Sequence, residues 1–345
     1  MIKYFLLTII LSLSIIHAFS QTFDKERLID SIYINALNAK EARLISVRGN
    51  KYKVWTKRSG TGKIKLLLLH GGPGTSPEYF ENFPSALGKN YTIYFYSQLG
   101  TYFSDMPTDS SLYSVDGFIN DIEDVRIGLG LDNFYILGHS WGNQLAQAYA
   151  SKYQRHLKGI ILCNNINEKD EVIEEYQTQL YANILDSIPE YSRYADSLRF
   201  GFSGHFTDFS SKESLGSQIR KKAWPLMLKK HYARLPDPLP ENLTRSKLHS
   251  TGVLMSKLGF MAKINETDFN KYLADISIPT LLLGAKYDFI PPGYYIKMLD
   301  RMKNNANIEV YICPNGSHFA MWDDKENFFN VINEFMLKTE KIVMK

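Results

Sequence analysis

A serine between two glycines, placed where an apolar run gives way to a helical pattern, constrains this chain more than any other feature. Phe134-Tyr135-Ile136-Leu137 leads into Gly138-His139-Ser140-Trp141-Gly142, and Asn143-Gln144-Leu145-Ala146-Gln147-Ala148-Tyr149-Ala150 follows with helical character. G-x-S-x-G between a strand and a helix is the sequence form of a nucleophile elbow. The chain must reverse tightly there, which forces Ser140 into a strained conformation and leaves no room for a Cβ at Gly138 or Gly142. The serine hydroxyl is then held above a sheet, near the positive end of the following helix.

The rest of the chain supplies the sheet. Strand-like runs are read at Ala42–Val47 and Tyr52–Thr56, with Gly49-Asn50 as a hairpin turn between them. Ile64–Leu69, Tyr91–Tyr96, Asn133–Leu137, Leu157–Leu162, Thr280–Gly284 and Ile308–Ile312 are short and almost wholly apolar, as strands buried on both faces are. Helical patterns over Glu78–Leu87, Val115–Leu129 and Lys325–Lys338 alternate with them. Strand–helix alternation predicts an α/β class: a mostly parallel, doubly wound sheet with right-handed crossovers. From about Asn164 to Asn270 the rhythm stops. Helical patterns at Glu171–Asp186, Ser192–Phe200, Ser214–Lys230 and Leu243–Gly259, interrupted by Pro236, Pro238 and Pro240, predict an inserted helical cap. The expected organisation is a core over 21–165 and 271–345, split by a cap over 166–270.

Two further loops complete a site. The strand ending at Leu69 runs into His70-Gly71-Gly72-Pro73-Gly74. In α/β-hydrolase geometry such a loop gives one N–H of an oxyanion hole, assigned to Gly72, and the residue after the nucleophile, Trp141, gives the other. Asp288 lies just past the strand Thr280–Gly284, and His318 lies in the loop after Ile308–Ile312. The order Ser140, Asp288, His318 is the chain order of an α/β-hydrolase triad. A serine hydroxyl needs a base, so His318 would take its proton and later return it to the leaving group, while Asp288 fixes the imidazole tautomer. No metal-ligand spacing and no cofactor fingerprint is present. His70 and His139 read as braces of the glycine loops, and His156, His205, His231 and His249 as histidines without a partner pattern.

Composition bounds the rest. The net charge of +4 comes with no basic run interleaved with aromatics, so no nucleic-acid partner is implied. Lys3, the apolar stretch Tyr4–Ile16 and the small residues Ala18-Phe19-Ser20 read as a secretory signal over residues 1–20, hence an exported, periplasmic or secreted, protein. The run is short for a membrane span, so no stable insertion is expected after cleavage. The helical lead-in is placed over Gln21–Lys40. Cys163 and Cys313 each end a strand, with another strand expected between them. The separation of about 9–10 Å exceeds the reach of a disulfide, so both are expected as free, buried thiols.

With these motifs on the page, the chain resembles the prolyl aminopeptidase (proline iminopeptidase) family of α/β-hydrolases. The resemblance rests on His70-Gly71-Gly72-Pro73-Gly74, Gly138-His139-Ser140-Trp141-Gly142, Gly284-x-x-x-Asp288 and Gly316-x-His318, and spans most of residues 45–340. It implies release of an N-terminal residue, often proline, from short peptides. Two departures stand out. Ser97 and Tyr102 replace the Asp and second Gly of the family's Asp-Gln-x-Gly-x-Gly-x-Ser, and Asn143 stands where the family has Gly. An aminopeptidase must also hold a free ammonium. By resemblance to family cap segments, Glu241 (within Arg234–Glu241) and Glu266 are nominated for that role. The alternatives on the same triad are an esterase, lactonase or amidase, and a ligand-binding protein on a hydrolase scaffold. Ser140 at the elbow argues against an epoxide hydrolase, which places Asp there. Short peptides or small molecules are the expected substrates. The sequence sets no oligomeric state.

Overall fold

The computed structural model describes residues 31–164, 167, 171–196, 215–236 and 238–343. The expected signal segment and His205 lie outside them. Eight strands form one sheet: β1 (Ala42–Val47), β2 (Tyr52–Ser59), β3 (Ile64–Leu69), β4 (Tyr91–Tyr96), β5 (Phe134–His139), β6 (Leu157–Cys163), β7 (Thr280–Ala285) and β8 (Ile308–Cys313). Their order in space is β1-β2-β4-β3-β5-β6-β7-β8. β1 and β2 form an antiparallel hairpin, β2 meets β4 antiparallel, and every later pair is parallel. The hairpin turns through Arg48, Gly49 and Asn50, all with positive φ.

The expected apolar runs are the strands, each within a few residues, because continuous burial demands continuous apolarity. All six residues of β4, β5 and β7 are buried. Helices cover both faces. Val115–Leu129 begins on Ser114, whose hydroxyl accepts from Gly117 N–H, and ends on left-handed Gly130, so both termini are capped by sequence. The single helix expected over Glu78–Leu87 is instead a 3₁₀ turn, Pro77–Phe80, and a short helix, Phe83–Leu87. Pro84 has no N–H for a helical ladder and is tolerated only in a first turn, so a new helix starts there. Similarly, the pattern over Leu243–Gly259 divides into helices Glu241–Leu248 and Gly252–Lys257. Helix Leu215–Met227 passes into a π-helical turn, Leu228–Tyr232.

No strand occurs between β6 and β7 among the described residues. The helices there reach back to the core at defined points. Thr251 N–H and Oγ1 donate to the Gly74 carbonyl at 2.7 and 3.2 Å, and Ser246 Oγ donates to Ser76 O. None of the described helices is long and apolar enough to cross a membrane. Cys163 and Cys313 are free and buried, on strands separated by β7.

Candidate active site

The sheet register brings the functional loops to one end. Gly138 of β5 pairs with Leu69 of β3, His139 pairs with Cys163 of β6, and Ala285 of β7 pairs with Cys313 of β8. The loops carrying Gly72, Ser140, Asn164, Asp288 and His318 therefore all leave the carboxyl ends of adjacent strands, where open α/β sheets bind ligands.

Ser140 has φ 55° and ψ −125°, a conformation costly for any residue with a Cβ. Its N–H donates to Cys163 O at 3.0 Å and its carbonyl accepts from Asn143 N–H at 2.8 Å, so the turn is held from both sides. Trp141 opens the helix Trp141–Tyr153. As first helical residue its N–H has no carbonyl a turn earlier to bond.

Asp288 and His318 meet. The imidazole Nδ1 lies 3.1 and 3.2 Å from the two Asp288 carboxylate oxygens, with Asp288 fully buried and His318 2% exposed. Nδ1–H donation to the carboxylate leaves Nε2 as the basic nitrogen. The Ser140 hydroxyl makes no hydrogen bond to it here; such bonds often tighten only with substrate bound. Proximity is set by His139, next to Ser140 in the chain, whose ring centroid is 4.9 Å from that of His318.

A relay of buried hydrogen bonds fixes these loops against each other. Gly71 N–H donates to Tyr79 Oη at 2.6 Å, Tyr79 O–H donates to His139 Nδ1 at 3.0 Å, and His139 Nε2–H donates to His318 O at 2.8 Å. Gln98 ties the two glycine loops. Its N–H donates to His70 Nε2 (3.1 Å), its side-chain amide donates to His70 O (2.8 Å), and its Oε1 accepts from Trp141 Nε1 (2.9 Å). Both histidines are braces, as the sequence predicts, and burial keeps both neutral. Burial holds the His139 pKa well below the ordinary range, with the nearby His318 adding to the shift, and holds His70 down to about 4.

Asn164 was not singled out by the sequence. It sits at the end of β6 with φ 48°, fully buried, and its Nδ2 donates to Asp288 Oδ2 at 2.6 Å. Among the described residues its own Oδ1 has no partner. The amide is thus oriented by the carboxylate it serves. The rule that found Asp288, a polar residue just beyond a buried strand, would have found Asn164 as well. A hydrogen bond to a charged group is worth about 1.5–3 kcal/mol, so Asn164→Ala is expected to lower kcat for peptide turnover about 10- to 100-fold. Unchanged kcat would remove Asn164 from this role.

The family departures have structural meanings. Ser97 is not on an open rim: it is fully buried, and its hydroxyl shares a 2.7 Å hydrogen bond with Thr101. Tyr102 is 4% exposed and stacks on His249 at 3.9 Å, and His249 Nδ1 bonds the buried Glu78. The tyrosine therefore docks the inserted helices onto the core. Asn143 is fully buried; its Nδ2 donates to Cys163 O at 3.2 Å and its Oδ1 accepts from Gln147, which also bonds Asn167. His156 and His231, for which the sequence shows no partner pattern, bond Asp132 and Tyr287 O.

Glu241 and Glu266 are not brought to the triad as desolvated carboxylates. Glu241 is the first residue of its helix, 80% exposed, and one turn before Arg245, whose Nη1 it bonds. It lines a groove of about 300 Å³ with Glu78, Glu81 and Trp55, and no triad residue shares that groove. Glu266 follows the helix Phe260–Asn265 and is exposed. The i,i+4 partner and the solvent explain both positions.

The comparisons agree with this architecture. The family model described as alpha/beta hydrolase fold matches residues 65–325. Proline iminopeptidases of Flavobacterium johnsoniae and Elizabethkingia meningoseptica are each 36% identical over 303 residues, covering 83% of this chain and 94% of the relative. The crystal structure of proline iminopeptidase from Mycobacterium smegmatis superposes with TM-score 0.68 at 18% identity, covering 88% of this chain and 99% of that one. An enol-lactonase from Burkholderia xenovorans matches with TM-score 0.57 at 14% identity over 86% of this chain and 100% of its own, which speaks to the fold alone. With extensive similarity on both the sequence and the fold, this chain belongs to the proline iminopeptidase family of α/β-hydrolases.

Proposed function

We propose that the chain is a serine aminopeptidase that releases N-terminal proline, or another small N-terminal residue, from short peptides through an acyl-enzyme. The observation that carries the reading is the buried Asp288–His318 pair beside a strained Ser140, in a chain of this family. Ser140 Oγ attacks the carbonyl carbon of the first residue while His318 Nε2 takes the hydroxyl proton. The amides of Gly72 and Trp141 face the oxyanion, a contribution of about 100- to 1,000-fold per donor. Gly71 N–H is committed to Tyr79, which leaves the next amide of the loop for that task. His318 then gives its proton to the leaving nitrogen as the C–N bond breaks. Water, deprotonated by the same imidazole, releases the acyl group.

Esterase or lactonase action on the same triad is the second reading, and the esterase and lactonase neighbours support it only through the shared fold. Hydrolysis of proline β-naphthylamide, its N-acetylated form and p-nitrophenyl acetate, with Ser140→Ala as control, separates them. Turnover of the free-amine substrate alone is expected. Turnover of the acetate ester with the prolyl amide untouched would leave only the serine hydrolase. The exported location rests on the charged start and apolar run of residues 1–20, and cell fractionation tests it.

A further inference from the structure

We propose that an apolar cavity beside His318 binds the side chain of the residue that follows the scissile bond, and that it selects a bulky apolar residue there. The inference rests on the aminopeptidase reading and adds to it a preference on the leaving side. The cavity measures about 320 Å³ and is walled by Gln177, Tyr181, Met227, Leu228, Tyr232 and Phe289. Two of these rings are also neighbours of the imidazole. Tyr232 stacks on His318 at 4.9 Å and 26°, and Phe289 lies 4.5 Å from it. The cavity and the general acid therefore share a wall.

The chemistry of proton transfer assigns the occupant. His318 must come within about 3 Å of the leaving nitrogen to protonate it. That nitrogen belongs to the second residue, whose Cβ is only two bonds away, so its side chain lies at the rings flanking the imidazole. The acyl part, by contrast, is anchored at Ser140 and the oxyanion amides.

The lining decides what kind of side chain fits. Two of its polar groups are spent on holding the wall. Gln177 Nε2 donates to Phe289 O at 3.2 Å, and His231, at the cavity edge, donates Nδ1–H to Tyr287 O at 2.8 Å. Tyr176 O–H donates to Asp288 O at 3.1 Å on the same helix as Gln177, so the helix Glu171–Asp186 grips the Asp288 loop while forming the cavity. What remains for a ligand is mostly hydrocarbon and ring surface, including the rings of Tyr181, Tyr232 and Phe289. Among the described residues, no carboxylate, lysine or arginine lines it. Burial of a leucine or phenylalanine side chain in such a space is worth about 10- to 100-fold, and a charged side chain would be desolvated there without a partner.

The test measures kcat/KM of the full-length protein on Pro-Phe-Gly, Pro-Leu-Gly, Pro-Gly-Gly, Pro-Asp-Gly and prolinamide, which has no side chain on the leaving side. Phe and Leu are expected to exceed Gly by about 10- to 100-fold, with Asp the poorest. Leu228→Trp, which fills the cavity, should erase the preference while prolinamide turnover stays within about twofold. Tyr181→Ala, on a different helix of the wall and without added bulk, should lower the Phe substrate selectively, and covers the case in which the tryptophan variant fails to fold. The proposal is overturned if the peptides show no discrimination while prolinamide is cleaved, if the preference survives both substitutions, or if prolinamide falls as far as the peptides, which would place the cavity on the acyl side. Failure of every prolyl substrate, prolinamide included, would overturn the aminopeptidase reading and this inference with it.

Discussion

His318→Ala is expected to lower kcat for prolyl amide hydrolysis by about 10,000-fold or more, with the fold intact. In the proposed mechanism the imidazole takes the Ser140 proton, and the neighbouring His139 does not replace it. His139, 4.9 Å away ring to ring, has both nitrogens committed, one accepting from Tyr79 and one donating to His318 O. Burial keeps it neutral throughout the working range. Asp288→Asn should cost about as much as removing the base, because an amide can present its N–H to Nδ1 and stabilise the wrong tautomer. Burial holds His70 down to about 4 and His139 well below the ordinary range, so each is a weaker base than an ordinary imidazole. Activity above about 1% in His318→Ala would remove the residue from this role.

What the sequence disclosed and what it hid divide along a physical line. The strands, the elbow and the order Ser140, Asp288, His318 were legible because each rests on a local rule: buried parallel strands must be apolar, a tight strand-to-helix turn must have glycine, and functional groups gather after strand ends. Asn164 obeys the same rule, yet an asparagine after a strand is also an ordinary turn residue, and only the contact with Asp288 tells the two apart. Gln98 was legible as part of a family segment but not as the link between His70 and Trp141, since that link joins residues 28 and 43 positions apart. The helices between β6 and β7 were the least legible. Their boundaries depend on which faces meet the core, as Tyr102 meets His249. Glu241 shows the hazard of carrying a role across a weak match: its position fits a family segment, but Arg245 one turn later claims the carboxylate.

The glycines of the elbow admit the second large effect. A Cβ on Gly142 would lie 2.0 Å from Leu69 O, 2.6 Å from Leu69 C and 2.7 Å from His70 O. All three are main-chain atoms of β3 and of the loop that carries Gly72, so no side chain can swing aside to make room. Gly142→Ala is therefore expected to destabilise the protein by about 3 kcal/mol or more, at the upper end for overpacking. The clash also acts on function, because the helix and the Gly72 loop would be driven apart, separating the two amides proposed to face the oxyanion. A displacement of about 1 Å in such a site costs on the order of 100-fold in rate. Gly293→Ala is the control: a Cβ there meets nothing within 4 Å and φ is −63°. That substitution should leave stability unchanged or raise it by up to about 1 kcal/mol. Thermal unfolding of the two variants beside the parent decides the matter. If Gly142→Ala melts with Gly293→Ala, the backbone-to-backbone contact between β3 and the elbow helix does not constrain the turn, and Ser140 owes its conformation to its own hydrogen bonds to Cys163 and Asn143.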